Sequence, residues 1–81
     1  MNLTSTATPY APKPARTWAE GGLFKHITSG NIYLVNVYHN IAVCLHHANK
    51  LRVGAASALS DHTEVMFEPF YGSITITSTE Q

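Results

Sequence analysis

Six side chains in this sequence are of the kinds that bind metals or move protons near neutral pH: His26, His39, His46, His47, His62 and Cys44. Cys44 and His46 stand two apart, so on a strand they share a face and could both ligate a metal. His39, beside the turn that precedes them, could supply a third ligand. Zinc asks for three or four such groups converging at about 2.0–2.3 Å. The pattern argues against that centre. There is no second cysteine, no Cys-x-x-Cys pair and no His-x-x-x-His on a helix, and the adjacent His46 and His47 point to opposite faces of a strand. Half-exposed histidines at strand ends are the simpler reading, so no metal ligand and no cofactor is expected. A pH-sensitive contact is the other use for imidazole, which titrates near pH ~6.5.

Nucleophilic catalysis needs a nucleophile, a base and an orienting group. Cys44, a histidine and Asp61 exist as residue types, but no stretch carries a nucleophile elbow or a cysteine-protease signature. Glu64 and Glu68 form the one close carboxylate pair, and they read as a solvated strand face. No Gly-x-Gly-x-x-Gly implies a phosphate loop. The expectation is a non-enzymatic protein with no catalytic residue. Single-strand nucleic-acid binding is the alternative, because small barrels bind single strands through exposed aromatic and basic side chains. Lys25, Tyr33, Tyr38, Lys50 and Arg52 would form that surface if they shared one face.

The elements that must position these side chains are short strands. Gly22 to His47 reads as a meander of Leu23–Thr28, Ile32–His39 and Ile41–His47. Ser29-Gly30-Asn31 and Asn40 supply its turns, since Gly and Asn tolerate positive φ. The middle strand is apolar on both faces, with Ile32, Leu34 and Tyr38 on one and Tyr33, Val35 and Val37 on the other. Such a strand is central and covered twice. In the third strand Ile41, Val43 and Leu45 are expected to face inward, with Ala42, Cys44 and His46 on a smaller face. Leu51–Val53 suggests a further short strand, 54–62 a loop, Glu64–Glu68 a strand that ends at Pro69, and Ser73–Ser78 a half-buried strand. Thr17 and Glu20 have the spacing of a capping box around one helical turn. Residues 1–16, with Pro9, Pro12 and Pro14, read as an extended arm. An extended arm makes few contacts with its own small domain, so it is expected to dock on a neighbouring subunit, anchored by Tyr10 and Trp18.

The totals bound the whole. With 81 residues, one domain is the ceiling. Charged residues make up 12% of the chain, against about 25% in ordinary soluble domains. A chain that buries surface against copies or partners needs less charge. The formal charge is zero, yet the halves differ. Five basic residues (Lys13, Arg16, Lys25, Lys50, Arg52) against Glu20 give +4 over residues 1–52, and Asp61, Glu64, Glu68 and Glu80 give −4 over 53–81. Either neighbouring elements pair within the domain, or complementary patches steer assembly between subunits. One cysteine permits no intrachain disulfide. The N-terminus lacks a charged segment followed by an apolar one, so no signal peptide is expected, and no apolar run is long enough to span a membrane.

The expected fold is all-β: a small meander barrel or compact sandwich of five to six short strands, as an arm over 1–16 and one domain over 17–81. The expected function is protein–protein contact in a homo-oligomer or larger assembly, through Tyr10, Trp18, Tyr33, Val35 and Val37. A cytoplasmic or virion protein of a small virus or phage, either a virion component or an inhibitor of a host protein, suits a chain this small and rich in Thr and Ser.

Overall fold

Strand formers flank turn formers along most of this chain, and the strands follow. The computed structural model describes residues 2–10 and 17–79. Among them lie seven strands: β1 (Asn2–Pro9), β2 (Gly22–His26), β3 (Ile32–Asn36), β4 (Ile41–His46), β5 (Ala56–Ala58), β6 (Phe67–Pro69) and β7 (Gly72–Thr79). All pairings are antiparallel. One sheet has the order β5-β4-β3-β2-β6, and β1 and β7 pair as a separate two-stranded ribbon. The all-β class and the β2-β3-β4 meander are as expected. The strands do not close into a barrel, because the five-stranded order ends at β5 and β6.

The two meander turns form for the reasons the sequence gives. Gly30 takes φ +77° and donates its N–H to the His26 carbonyl at 2.8 Å. Asn40 takes φ +52° and donates to the Val37 carbonyl at 3.1 Å. The second turn starts earlier than expected. The Asn36 side-chain oxygen accepts the His39 N–H at 3.2 Å, which folds the chain back at once. β3 therefore ends at Asn36, and Val37 and Tyr38 stand on the turn rather than on a strand face.

The inward face of β4 is the reverse of the expected one. Ala42 and Cys44 are buried, while Ile41, Val43 and Leu45 are half-exposed. Two large residues of this core come from outside the meander. Trp18, on the 3-10 turn Trp18–Glu20, and Leu59, on the 3-10 turn Leu59–Asp61, pack with Phe24, Val35 and Ala42. Bulky groups arriving over a sheet need small side chains beneath them, and β4 offers those on its Ala42 face. The pairing of β3 with β4 also slips between Ile32 and Tyr33, which face His46 and Cys44, so Leu45 is skipped.

Other segments depart from simple alternation. Lys50–Arg52 and Glu64–Met66 are 3-10 turns rather than strands, and residues 56–58 of the expected loop form β5. The expected capping box is present, and in it the Glu20 carboxylate accepts the Thr17 N–H at 2.8 Å. Of the arm, Asn2–Pro9 lies on its own chain as β1, paired in continuous register with β7 from Asn2↔Thr79 to Pro9↔Gly72. Tyr10 extends the pairing with an N–H bond of 2.7 Å to the Tyr71 carbonyl. The proline-rich stretch 11–16 lies outside the described residues. The ribbon lies against β4, where Ser5 Oγ and His46 Nδ1 are 2.8 Å apart.

Candidate functional site

Each face of the five-stranded sheet is built from residues of one parity. Phe24, Val35 and Ala42 point into the core, so their neighbours Leu23, Leu34 and Val43 point the other way. Register aligns these three in a row across the sheet, because Leu23 pairs with Leu34 and Leu34 with Val43. Leu34, at the middle of the row, is 43% exposed. The β3–β4 turn continues this surface with Val37 (47% exposed) and Tyr38 (86% exposed). Leu34, Val37 and Tyr38 line one cleft of about 350 Å³, closed on the other side by Glu20 and Gly21. Val37 also borders a second cleft of about 350 Å³, between Trp18, Asn40, Leu59 and His62. Val37 is thus an apolar ridge between two hollows.

Two polar residues brace this region. Asn40 accepts the Ser60 N–H on its side-chain oxygen at 2.9 Å, and its backbone carbonyl accepts the Leu59 N–H at 3.1 Å. It thereby ties the turn to the segment that brings Leu59 into the core. Glu64 accepts the Trp18 N–H at 3.0 Å, where a 3-10 turn leaves donors without partners. The Trp18 indole N–H is buried and has no hydrogen-bond partner among the described residues. Neither link between distant segments is visible in local spacing. The only signal was Asn40 itself, a residue suited to positive φ.

The expected contact residues divide. Tyr10 and Val37 are on the surface, as is Tyr38 of the nucleic-acid set. Trp18 (9% exposed) and Val35 (3% exposed) fill the chain's own core, so the arm anchor and the second strand face expected to meet a partner are taken up internally. Tyr33 is half-buried with its ring 5.7 Å from that of Phe67 and 5.4 Å from that of His62. Burial holds the Tyr33 phenol above its ordinary pKa, the nearby Cys44 thiol adds to this, and Asn31 and Arg52 oppose it. Burial likewise raises the Cys44 thiol, against its bond to the His46 carbonyl and the charge of Arg52.

The nucleic-acid set is not assembled on one face. Lys25 shares the face of Leu23, opposite Tyr33, and its ammonium lies 3.5 Å from the Glu68 carboxylate. Tyr38 stacks on His39 at the β3–β4 turn, whereas Arg52 follows the other end of β4. The Lys50 side chain lies outside what is described. The histidines scatter too. His26 accepts the Ser29 N–H, His46 meets Ser5, His47 accepts the Asn49 N–H, and His62 meets Ser57. Cys44, His46 and His39 do not converge, and no group of three or more His, Cys, Asp or Glu among the described residues is placed to hold a metal. No helix among those residues is long and apolar enough to cross a membrane. Compared with known proteins, the chain matches no family model, no curated protein and no solved structure.

Proposed function

We propose that this chain is a non-enzymatic interaction protein that binds another protein surface through the apolar patch of Leu34, Val37 and Tyr38. The observation that carries the reading is the exposure of Leu34, on the face opposite the core, together with Val37 and Tyr38 on the turn that continues it. Apolar area removed from water stabilises contact by about 25 cal/mol per Å², and aromatic residues such as Tyr38 are common anchors of interfaces. The two clefts beside Val37 give a partner's side chains places to seat. In this reading the ribbon and the five-stranded sheet act as the layers of a compact sandwich, and the chain works in a homo-oligomer or larger assembly. A virion component or an inhibitor of a host protein would use such a surface.

The test is mass in solution by sedimentation equilibrium, with Leu34→Lys beside the unsubstituted chain. Leu34 is half in solvent, so the substitution is expected to change folding stability by less than about 1 kcal/mol. Association should weaken about tenfold or more, since a charge then has to be buried at the contact. An association constant unchanged by Leu34→Lys in a folded protein removes this patch from the interface.

A further inference from the structure

The two sheets treat their edges differently. The five-stranded sheet ends in strands of three residues, β5 and β6, and β6 carries Glu68 and Pro69. Short strands, charge and proline are the usual guards against pairing with another chain. β7 has none of them. It runs eight residues, Gly-Ser-Ile-Thr-Ile-Thr-Ser-Thr, without charge, proline or bulge, and among the described residues its one strand neighbour is β1. Ser73, Thr75, Ile76, Thr77 and Ser78 are all exposed, Ile76 by 42%.

The direction of its free backbone groups can be read from one bond. Thr4 Oγ1 donates to the Thr77 carbonyl at 3.3 Å, so that carbonyl faces β1. Alternation then turns the N–H and C=O of Ile74 and Ile76 to the open side. The pattern of residue kinds is symmetric about Thr75, with isoleucine one step away on each side and a hydroxyl residue, Ser73 or Thr77, two steps away. An antiparallel copy of β7 laid along this edge, with a two-fold axis at Thr75, sets Ile74 against Ile76 of the partner subunit. It also sets Ser73 against Thr77 of the partner subunit. The outward amides then meet outward carbonyls, isoleucine stays on one face, and hydroxyls stay on the other.

We infer that β7 is a self-pairing edge through which two copies of this chain form a symmetric dimer, joining two ribbons into one four-stranded sheet. A two-stranded ribbon is marginal by itself, and a third or fourth strand relieves that. The uncharged edge brings no like charges together when two copies meet. A two-fold axis makes the contact self-complementary and closed. This surface is separate from the Leu34 patch and stands without it.

Thr75→Cys tests the register in the full-length chain. On the axis, two copies of residue 75 form a non-hydrogen-bonded pair with Cα atoms about 4.5 Å apart, within disulfide reach. Ile74→Cys is the control, since its own copy is diagonal at about 7–8 Å and out of reach. The expected result under mild oxidation is a covalent dimer for Thr75→Cys, at about tenfold the yield of Ile74→Cys. The unsubstituted chain, whose Cys44 is buried, should give none. Leu34→Lys should leave the Thr75→Cys cross-link in place, which separates this edge from the patch above. In a Leu34→Lys background, which leaves β7 as the proposed self-contact, Thr75→Lys would oppose two ammonium groups across the axis and should convert dimer to monomer with the circular dichroism spectrum kept. Equal cross-linking at 74 and 75, a Leu34→Lys, Thr75→Lys double variant that stays dimeric, or an unsubstituted chain that is monomeric at about 100 μM overturns the inference.

Discussion

Tyr33 and Cys44 are paired across β3 and β4, and both are held in their neutral forms by burial. That makes a prediction about alkali. Each folded pKa lies above its ordinary value, 9.0 for the thiol and 10.0 for the phenol. Below those values both folded and unfolded chains are neutral at these sites, and the stability is fully present. As pH rises past them the unfolded chain ionises first, so stability is lost until the folded pKa values are passed. Urea midpoints should be level from about pH 7 to about pH 8.5 and fall above about pH 9. Tyr33→Phe removes the phenol's share, so its alkaline limb should be shallower than that of the unsubstituted chain. Limbs of equal slope would show that Tyr33 titrates freely. Of the residues that matter, those suited to a turn were legible in the sequence, as at Gly30 and Asn40. Glu64 was not, because its partner, the Trp18 N–H, is 46 residues away and nothing local marks the pair. The burial of Val35 was not legible for a related reason. Its neighbours in sequence say that both faces of β3 are apolar, and only the arrival of Trp18 and Leu59 decides which one is covered.

Among the elements, the ribbon has the tightest join. At Gly72 a Cβ would collide with the Thr8 carbonyl oxygen and stand 2.8 Å from the Phe70 ring. The obstacle is backbone on one side and a buried aromatic on the other, so neither gives way easily. Gly72→Ala is expected to destabilise the chain by about 1–3 kcal/mol, the range for forced overpacking. The loss should be local to the ribbon. In amide hydrogen exchange, protection should fall across β1 and β7 while the Leu34 and Val43 amides keep theirs. A uniform loss of protection would mean that ribbon and sheet unfold as one unit. The meander was legible because alternation and turn residues agree over Gly22–His46. The ribbon was not, because Asn2–Pro9 has no strong strand formers beyond threonine and its partner is at the other end of the chain. Glu64–Met66 misled in the opposite sense: the run into Phe67 looks like a strand, but its first three residues make a 3-10 turn and only Phe67–Pro69 pairs with β2.

At the scale of the molecule, the charge asymmetry between the two halves now has a partial answer. An ion pair across β2 and β6, Lys25 with Glu68, joins the basic half to the acidic half inside one chain. Both side chains are about half in solvent, where such a pair contributes roughly 0–1 kcal/mol. That pair therefore adds little to the fold, and it lies in neither proposed contact. Leu34, Val37 and Tyr38 of the patch and the residues of β7 carry no charge of their own. Assembly through them should respond to salt as apolar contact does. Raising sodium chloride from ~50 to ~500 mM shortens the Debye length about threefold, which would weaken an assembly steered by complementary +4 and −4 patches. The association constant of this chain is instead expected to stay within about threefold over that range, and to rise with sulfate, which strengthens apolar burial. Sedimentation equilibrium at matched protein concentration makes the comparison. A tenfold or greater fall with sodium chloride would assign the contact to the charged halves, and would place the interface near Arg52 and Glu68 rather than at Leu34 or Thr75.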